Sequence, residues 1–176
     1  MENNVREKKV TMTHLEGNLA VVFPLGIMLM FILLFNKLHG HVSFAELPSI
    51  PLLVSSFAVF PAMWIHELLH AGGWMLSGKT TKELQIGSNF PICLWTRFDG
   101  TMKGWQLLVG VILPFATLSV VPAIIGLVTG NIYLIIFAFT HASGCGSDFV
   151  TSVRLLKYLK NTCTDTEGEI GFKVLV

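Results

Sequence analysis

The sequence predicts an all-α integral membrane protein with about four transmembrane helices. Hydrophobic residues make up 52% of the 176 residues and charged residues only 13%, whereas soluble domains carry about 25% charged residues. Charged residues are also absent from long stretches, one between Glu16 and Lys37 and another over residues 104–147. Such stretches are long enough to cross a bilayer, whose hydrocarbon core needs about 20 apolar residues.

The four spans follow from the apolar runs and from the helix breakers between them. A single helix over residues 104–147 would be about 66 Å long, far more than a bilayer requires. The sequence Thr129-Gly130-Asn131 is the natural place to divide that run. The chain is then one membrane-embedded domain, residues 1–176, in contact with the lipid bilayer. We predict spans at about residues 19–37, 52–77, 105–128 and 132–159, with polar tails at 1–18 and 160–176.

The connection over residues 78–104 is the most polar internal segment. Residues 84–86 and 92–98 alternate loosely between apolar and polar side chains, and turn-forming residues lie between them. This pattern predicts a short β hairpin, with an irregular loop as the alternative. Lysine and arginine are concentrated here and in the two tails. The positive-inside rule therefore predicts that both termini and this loop are cytoplasmic in a multi-pass protein of the cell membrane.

An H-E-x-x-H motif, His66-Glu67-Leu68-Leu69-His70, lies near the end of the second predicted span. On a helix its two histidines share one face and can bind one zinc ion. Glu67 lies about 100° round the helix from His66, close enough to reach a zinc-bound water without binding the metal. Zinc lowers the pKa of such a water towards about 7, and Glu67 can take its proton as general base. The motif therefore predicts a zinc-dependent hydrolase.

The residues alone leave three interpretations of this motif open. The first is a membrane zinc peptidase. The second is a non-catalytic membrane protein that binds or transports a metal ion, in which Glu67 is a ligand or a relay. The third is an inactive membrane scaffold, in which the polar cluster serves helix packing. The net charge of +1 gives no basic excess, so we expect no nucleic-acid partner. The three cysteines show no C-x-x-C spacing, which argues against a thiolate zinc site.

A catalytic zinc needs a third protein ligand and one open position. Asp148 is an acidic residue within the predicted fourth span. Measured along the spans from their outer ends, His66 and His70 lie about 21–27 Å deep and Asp148 about 24 Å. We therefore predict Asp148 as the third ligand, although it could instead pair with a lysine or cap a helix. His141, two helical turns earlier on the same face, is an alternative ligand, a partner that orients a ligand, a hydrogen-bond donor to the transition state, or a buried core histidine.

Several segments of the chain resemble the site-2-protease-like integral membrane zinc metallopeptidases, and more narrowly a bacterial group of zincin peptidases. The likeness rests on the H-E-x-x-H motif, on Leu113-Pro114 in the third span, on the glycine-rich approach to Asp148 and on residues 165–172. It departs from site-2 proteases at Ser147-Asp148-Phe149, because those enzymes place an Asn and a Pro ahead of an Asp-Gly pair.

The resemblance implies a role for each site residue. His66, His70 and Asp148 would bind Zn²⁺, and Glu67 would be the catalytic acid and base. The substrate would be a membrane protein or a membrane-adjacent peptide.

Overall fold

The computed structural model describes residues 6–89, 93–166 and 169–176, and it is mostly helical with two small antiparallel sheets. A π-helical turn, Ala116–Val120, joins the fifth helix to the sixth. In chain order the helices and strands are β1 (Glu7–Met12), α1 (His14–Leu19), α2 (Val22–His39), α3 (Ser49–Phe57), α4 (Val59–Leu76), β2 (Leu84–Asn89), β3 (Cys93–Phe98), β4 (Thr101–Lys103), α5 (Gly104–Phe115), α6 (Val121–Thr129), α7 (Ile132–Ala142), α8 (Gly146–Leu155), β5 (Thr162–Asp165) and β6 (Ile170–Leu175).

Among the described residues, three helical segments are long and apolar enough to cross a membrane: His14–His39, Ser49–Leu76 and Gly104–Thr129. They contain most or all of the first three predicted spans and extend them by one to five residues at most ends. Their outer surfaces carry many exposed large apolar side chains, which is the distribution expected of helices that face lipid. Among these side chains are Phe23, Met30, Leu33, Ile50, Val54, Phe60, Leu76 and Val128.

The prediction of a fourth span over residues 132–159 is wrong. Helix α7 ends at Ala142 and α8 begins at Gly146. With 11 residues, α7 is about 16 Å long, so it cannot cross a hydrocarbon core of about 30 Å. The chain turns here because Gly144 and Cys145 donate their backbone N–H groups to carbonyls three residues back. A Cβ on Gly146 would lie 2.5 Å from the Gly17 carbonyl oxygen, so only glycine lets α8 start against α1.

The prediction of an all-α fold is also wrong, because parts of both polar tails form a sheet. Strands β1, β6, β5 and β4 pair in that order, and each neighbouring pair is antiparallel. Apolar residues on β6 explain why it forms, since Phe172 and Val174 are buried on one face and pack with Leu155 of α8. The sheet therefore covers one end of the helices instead of extending into solvent.

The predicted hairpin between the second and third spans is present. Strands β2 and β3 pair antiparallel from Leu84 opposite Phe98 to Asn89 opposite Cys93. The predicted turn falls partly on residues 90–92, which lie outside the described residues. The Thr96 hydroxyl of β3 donates to the backbone carbonyl of Glu67 at 2.9 Å. This bond attaches the hairpin to α4 at the H-E-x-x-H motif.

Helices α4 and α5 are in direct backbone contact at Gly73 and Gly110. A Cβ on Gly73 would lie 2.6 Å from the Gly110 Cα, and a Cβ on Gly110 would lie 2.0 Å from Trp74 Nε1. Neither position has room for a methyl group. At Gly72, by contrast, no atom of the described residues lies within 4 Å of the place where a Cβ would be. Close approach through small residues is the usual way for helices to pack inside a membrane.

The base of the hairpin is held by the ion pair between Lys79 and Glu83. Lys79 Nζ donates to Glu83 Oε1 at 2.9 Å and to the Asp99 carbonyl at 2.7 Å. The other Glu83 oxygen accepts from the Thr80 N–H and hydroxyl, each at 2.9 Å. The bond from Lys79, followed by those from Thr80, lowers the pKa of Glu83 to about 2.

We expect Gly73→Ala to destabilise the protein by about 1–3 kcal/mol, because the added methyl group forces α4 and α5 apart. Gly72→Ala is the matched control and should leave stability nearly unchanged or slightly raised. Thermal unfolding of both variants in detergent checks this. Equal unfolding midpoints for the two variants would contradict the packing described.

We expect Glu83→Gln to lower the midpoint of thermal unfolding at neutral pH. The folded pKa of about 2 lies below the ordinary value of 4.5, so the stabilisation is complete above about pH 4.5 and is lost as the pH falls towards 2. The difference between variant and wild type should therefore shrink on acidification. In a Lys79→Met background the same substitution should have a smaller effect. A difference that stays constant down to about pH 3 would contradict the assigned role of the charge.

Candidate metal centre

Three side-chain atoms suited to binding a metal converge between α4 and α8. The Nε2 atoms of His66 and His70 lie 3.1 Å apart. Asp148 Oδ2 lies 3.1 Å from the first and 3.7 Å from the second. The two histidines are one helical turn apart on α4, and Asp148 is in the first turn of α8. The break between α7 and α8 brings that first turn against the helices that hold the motif.

The spacing of these three atoms fits a zinc ion. Ligand atoms of a tetrahedral site with bonds of about 2.0–2.2 Å lie about 3.3–3.6 Å apart, close to the observed 3.1, 3.1 and 3.7 Å. The circle through the three atoms has a radius of about 1.9 Å, so a point just off their plane lies at bonding distance from all three. The donor set, two imidazole nitrogens and one carboxylate oxygen, is one that zinc accepts.

The remaining ring nitrogens of both histidines are held by protein groups. His70 Nδ1 donates to the Gly110 carbonyl at 2.9 Å, so its Nε2 is the atom with a free lone pair. His66 Nδ1 lies 3.2 Å from His141 Nε2, and His141 Nδ1 lies 2.8 Å from the Ser119 hydroxyl. If His66 Nδ1 donates its proton, His141 Nε2 is the acceptor. A neutral His141 then carries its own proton on Nδ1 and donates it to the Ser119 hydroxyl oxygen. Such outer contacts fix the tautomer and the orientation of ligand histidines.

Ser119 is a site residue that the sequence analysis missed. It is fully buried, within the π-helical turn Ala116–Val120. Turns of this kind occur mostly as single-turn insertions inside α-helices, and frequently at functional sites. A lone serine in an apolar span gives no signal in the sequence, because small hydroxyl residues are common where membrane helices pack.

Glu67 lies beside the two histidines and faces open space. One of its carboxylate oxygens and the nitrogens of His66 and His70 all lie within 4.8 Å of one another. Glu67, His70 and Asp148 line a cleft of about 290 Å³ that opens to the outside. The rest of the cleft wall comes from α4, β3, α5, α8 and the β5–β6 region: Trp74, Trp95, Thr96, Arg97, Phe98, Leu107, Val111, Thr151, Asp165, Thr166, Glu169, Ile170 and Gly171.

A second group of metal-binding residues overlaps the first. His66, His141 and Cys145 also offer ligand atoms within 4.8 Å of one another, and all three are buried. Both nitrogens of His141 already contact protein groups, and neither His141 nor Cys145 lines the cleft. An ion bound there would have no open position for a reactant. The geometry therefore favours the group on the cleft side for chemistry.

The structure thus brings all five predicted site residues together. His66, His70 and Asp148 surround one point, and Glu67 stands at the edge of the cleft. His141 Nε2 lies 3.2 Å from Nδ1 of His66, the ring nitrogen that does not face His70 and Asp148.

Fold and site together define a helical protein with membrane-length helices and a zincin-type H-E-x-x-H centre. A family model described as "Putative zincin peptidase", DUF3267, matches residues 59–163. The match covers more than half of the chain and includes His66, Glu67, His70 and Asp148, so the chain belongs to this family. No curated protein and no solved structure matches the chain.

Proposed function

We propose that this chain is a membrane-embedded, zinc-dependent peptidase of the site-2-protease type. Its substrates are membrane proteins or membrane-adjacent peptides. The observation that carries the proposal is the convergence of the His66, His70 and Asp148 ligand atoms, with Glu67 beside them at an open cleft. A membrane metal carrier would use the same ligands, but it has no need for a carboxylate held next to the site at a substrate-sized opening.

In this proposal His66, His70 and Asp148 hold the zinc ion. When bound, zinc supplies Lewis acidity to the scissile carbonyl and to the attacking water. Glu67 accepts the proton of that water and later donates it to the departing amine. Glu67 is suited to this task because its backbone carbonyl accepts a hydrogen bond from the Thr96 hydroxyl of β3. The hairpin therefore fixes the position of Glu67 relative to the cleft.

The cleft suggests how a substrate is held. Strand β3 pairs with β2 on one edge, and among the described residues no strand pairs with its other edge. Trp95, Thr96 and Arg97 of β3 line the cleft. We propose that an extended substrate segment adds to β3 and presents its amide to Glu67. A transmembrane substrate must unwind locally first, because a helix keeps its amides bonded internally.

The proposed orientation puts both termini, the hairpin and the four-stranded sheet on the cytoplasmic side. Lysine and arginine residues are concentrated in these segments, which supports this orientation through the positive-inside rule. The cleft opens between the hairpin and the sheet, so cleavage would occur near the cytoplasmic membrane surface.

We expect Glu67→Gln to keep bound zinc but to slow cleavage by about 10²–10⁴-fold, because the amide cannot accept the proton. Asp148→Ala should lose zinc as well as activity. Asp99→Asn, at the exposed base of the hairpin, is the matched control. Elemental analysis gives zinc per chain, and a labelled transmembrane peptide reports cleavage.

Cleavage at the wild-type rate by Glu67→Gln would contradict the mechanism. A second contrary outcome is a wild-type protein that binds zinc without cleaving any peptide tested. In that case, zinc flux into vesicles would favour a metal carrier if His66→Ala abolishes the flux.

We expect Ser119→Ala to weaken zinc binding by about tenfold, since outer partners of ligand histidines typically contribute 10–100-fold in affinity. Thr117→Ala is the control, because its hydroxyl donates to the Leu113 carbonyl of its own helix and contacts no site residue. Competition with a chelator measures both affinities. Identical zinc affinities in the two variants would show that the His66–His141–Ser119 chain does not orient His66.

A further inference from the structure

Four basic side chains line a groove that is separate from the cleft at the metal centre. They come from β1, from α8 and from the residues just after α8: Lys8, Lys9, Arg154 and Lys157. This basic groove, as we call these four residues, encloses a volume of about 360 Å³, and none of the described residues that line it is acidic. A concave site with four cationic side chains and no carboxylate on its walls has the charge that an anionic ligand requires.

Part of this charge is not neutralised by the protein. Lys9 pairs with Glu169 at 3.1 Å, and Arg154 donates to the Thr11 carbonyl at 2.7 Å. Lys8 Nζ lies 5.7 Å from the centre of the Tyr158 ring. In the part of the chain that the structure describes, neither Lys8 nor Lys157 has a carboxylate within 4.0 Å. Two lysines are therefore available to an outside ligand.

The position of the groove identifies the kind of anion. The first membrane-length segment begins at His14, three residues after Thr11 of the groove wall, so it starts within about 10 Å of the groove. Arg154 also lies 3.8 Å from Glu16 in the first turn of α1. The groove is thus at the end of a membrane-length helix, which is the level of lipid headgroups.

Exposed apolar side chains occur in the same segments of the chain as the groove residues. Val153 of α8 and Leu156 just after it are 51% and 58% exposed, next in sequence to Arg154 and Lys157. On α1, Leu15 and Leu19 are 67% and 64% exposed. A free anion in water would gain nothing from these neighbours. A phospholipid would, because its acyl chains cover apolar side chains while its phosphate meets the lysines.

We infer that the basic groove binds the phosphate headgroup of an anionic phospholipid, with Lys8 and Lys157 as its main contacts. Each lysine near an anionic membrane surface contributes appreciably to such binding. The bound lipid would hold α8, and with it the segment that carries Asp148, against the start of the first span. The inference does not depend on zinc or on peptidase activity.

The test is binding of phosphatidylglycerol to the purified full-length chain, measured by native mass spectrometry in neutral detergent. Lys8→Gln/Lys157→Gln should bind it about tenfold more weakly than wild type. Lys37→Gln/Lys82→Gln makes the same change in net charge at exposed lysines outside the groove and should bind like wild type. Phosphatidylcholine should bind the wild type weakly, and millimolar inorganic phosphate should not displace phosphatidylglycerol.

Three results would overturn the inference. If both double variants bind phosphatidylglycerol equally weakly, the effect is one of net charge and not of the groove. If phosphatidylcholine binds as tightly as phosphatidylglycerol, the groove does not distinguish headgroups by charge. Displacement by inorganic phosphate would mean that the groove takes a free anion. The substituted lysines are exposed, so we expect both double variants to fold. Their unfolding midpoints, measured without added lipid, check this.

Discussion

Two imidazole rings and a carboxylate share one small volume between α4 and α8, and protein groups contact the other nitrogen of each ring. His70 is oriented by the Gly110 carbonyl and His66 by His141, which in turn contacts Ser119. Each of these partners depends on close helix packing. The Gly110 carbonyl reaches His70 because α4 and α5 touch through glycines, and Ser119 reaches His141 from a π-helical turn. The site thus rests on backbone contacts that tolerate no added methyl group.

The non-helical parts of the chain form the access to this site. Strand β3 is tied to Glu67 through Thr96, and the β5–β6 region lines the opposite wall of the cleft. The break before α8 has a different effect, since it places Asp148, in the first turn of α8, beside the two histidines. The polar stretches of this sequence therefore mark where the membrane-length helices end and where the cleft walls form.

The sequence predicted the parts of the molecule whose signal is local. Long apolar runs gave three spans, and His66, Glu67 and His70 were predicted from their spacing alone. Asp148 was predicted next to them from helix depth, although the unbroken helix used for that estimate does not exist. The four-stranded sheet was not predicted, because β1 and β6 pair across almost the whole chain. Ser119 was not predicted, because its role comes from the π-helical turn around it.

The central claim is that zinc is bound by two histidines and Asp148 on the cleft side of the site. X-ray absorption at the zinc edge of the metal-loaded protein tests it most directly. The account predicts two imidazole ligands with only nitrogen and oxygen neighbours at about 2.0–2.2 Å. A sulfur neighbour at about 2.3 Å would mean that Cys145 binds the metal together with His66 and His141. That result would contradict the account, because an ion there would lie away from the cleft and from Glu67.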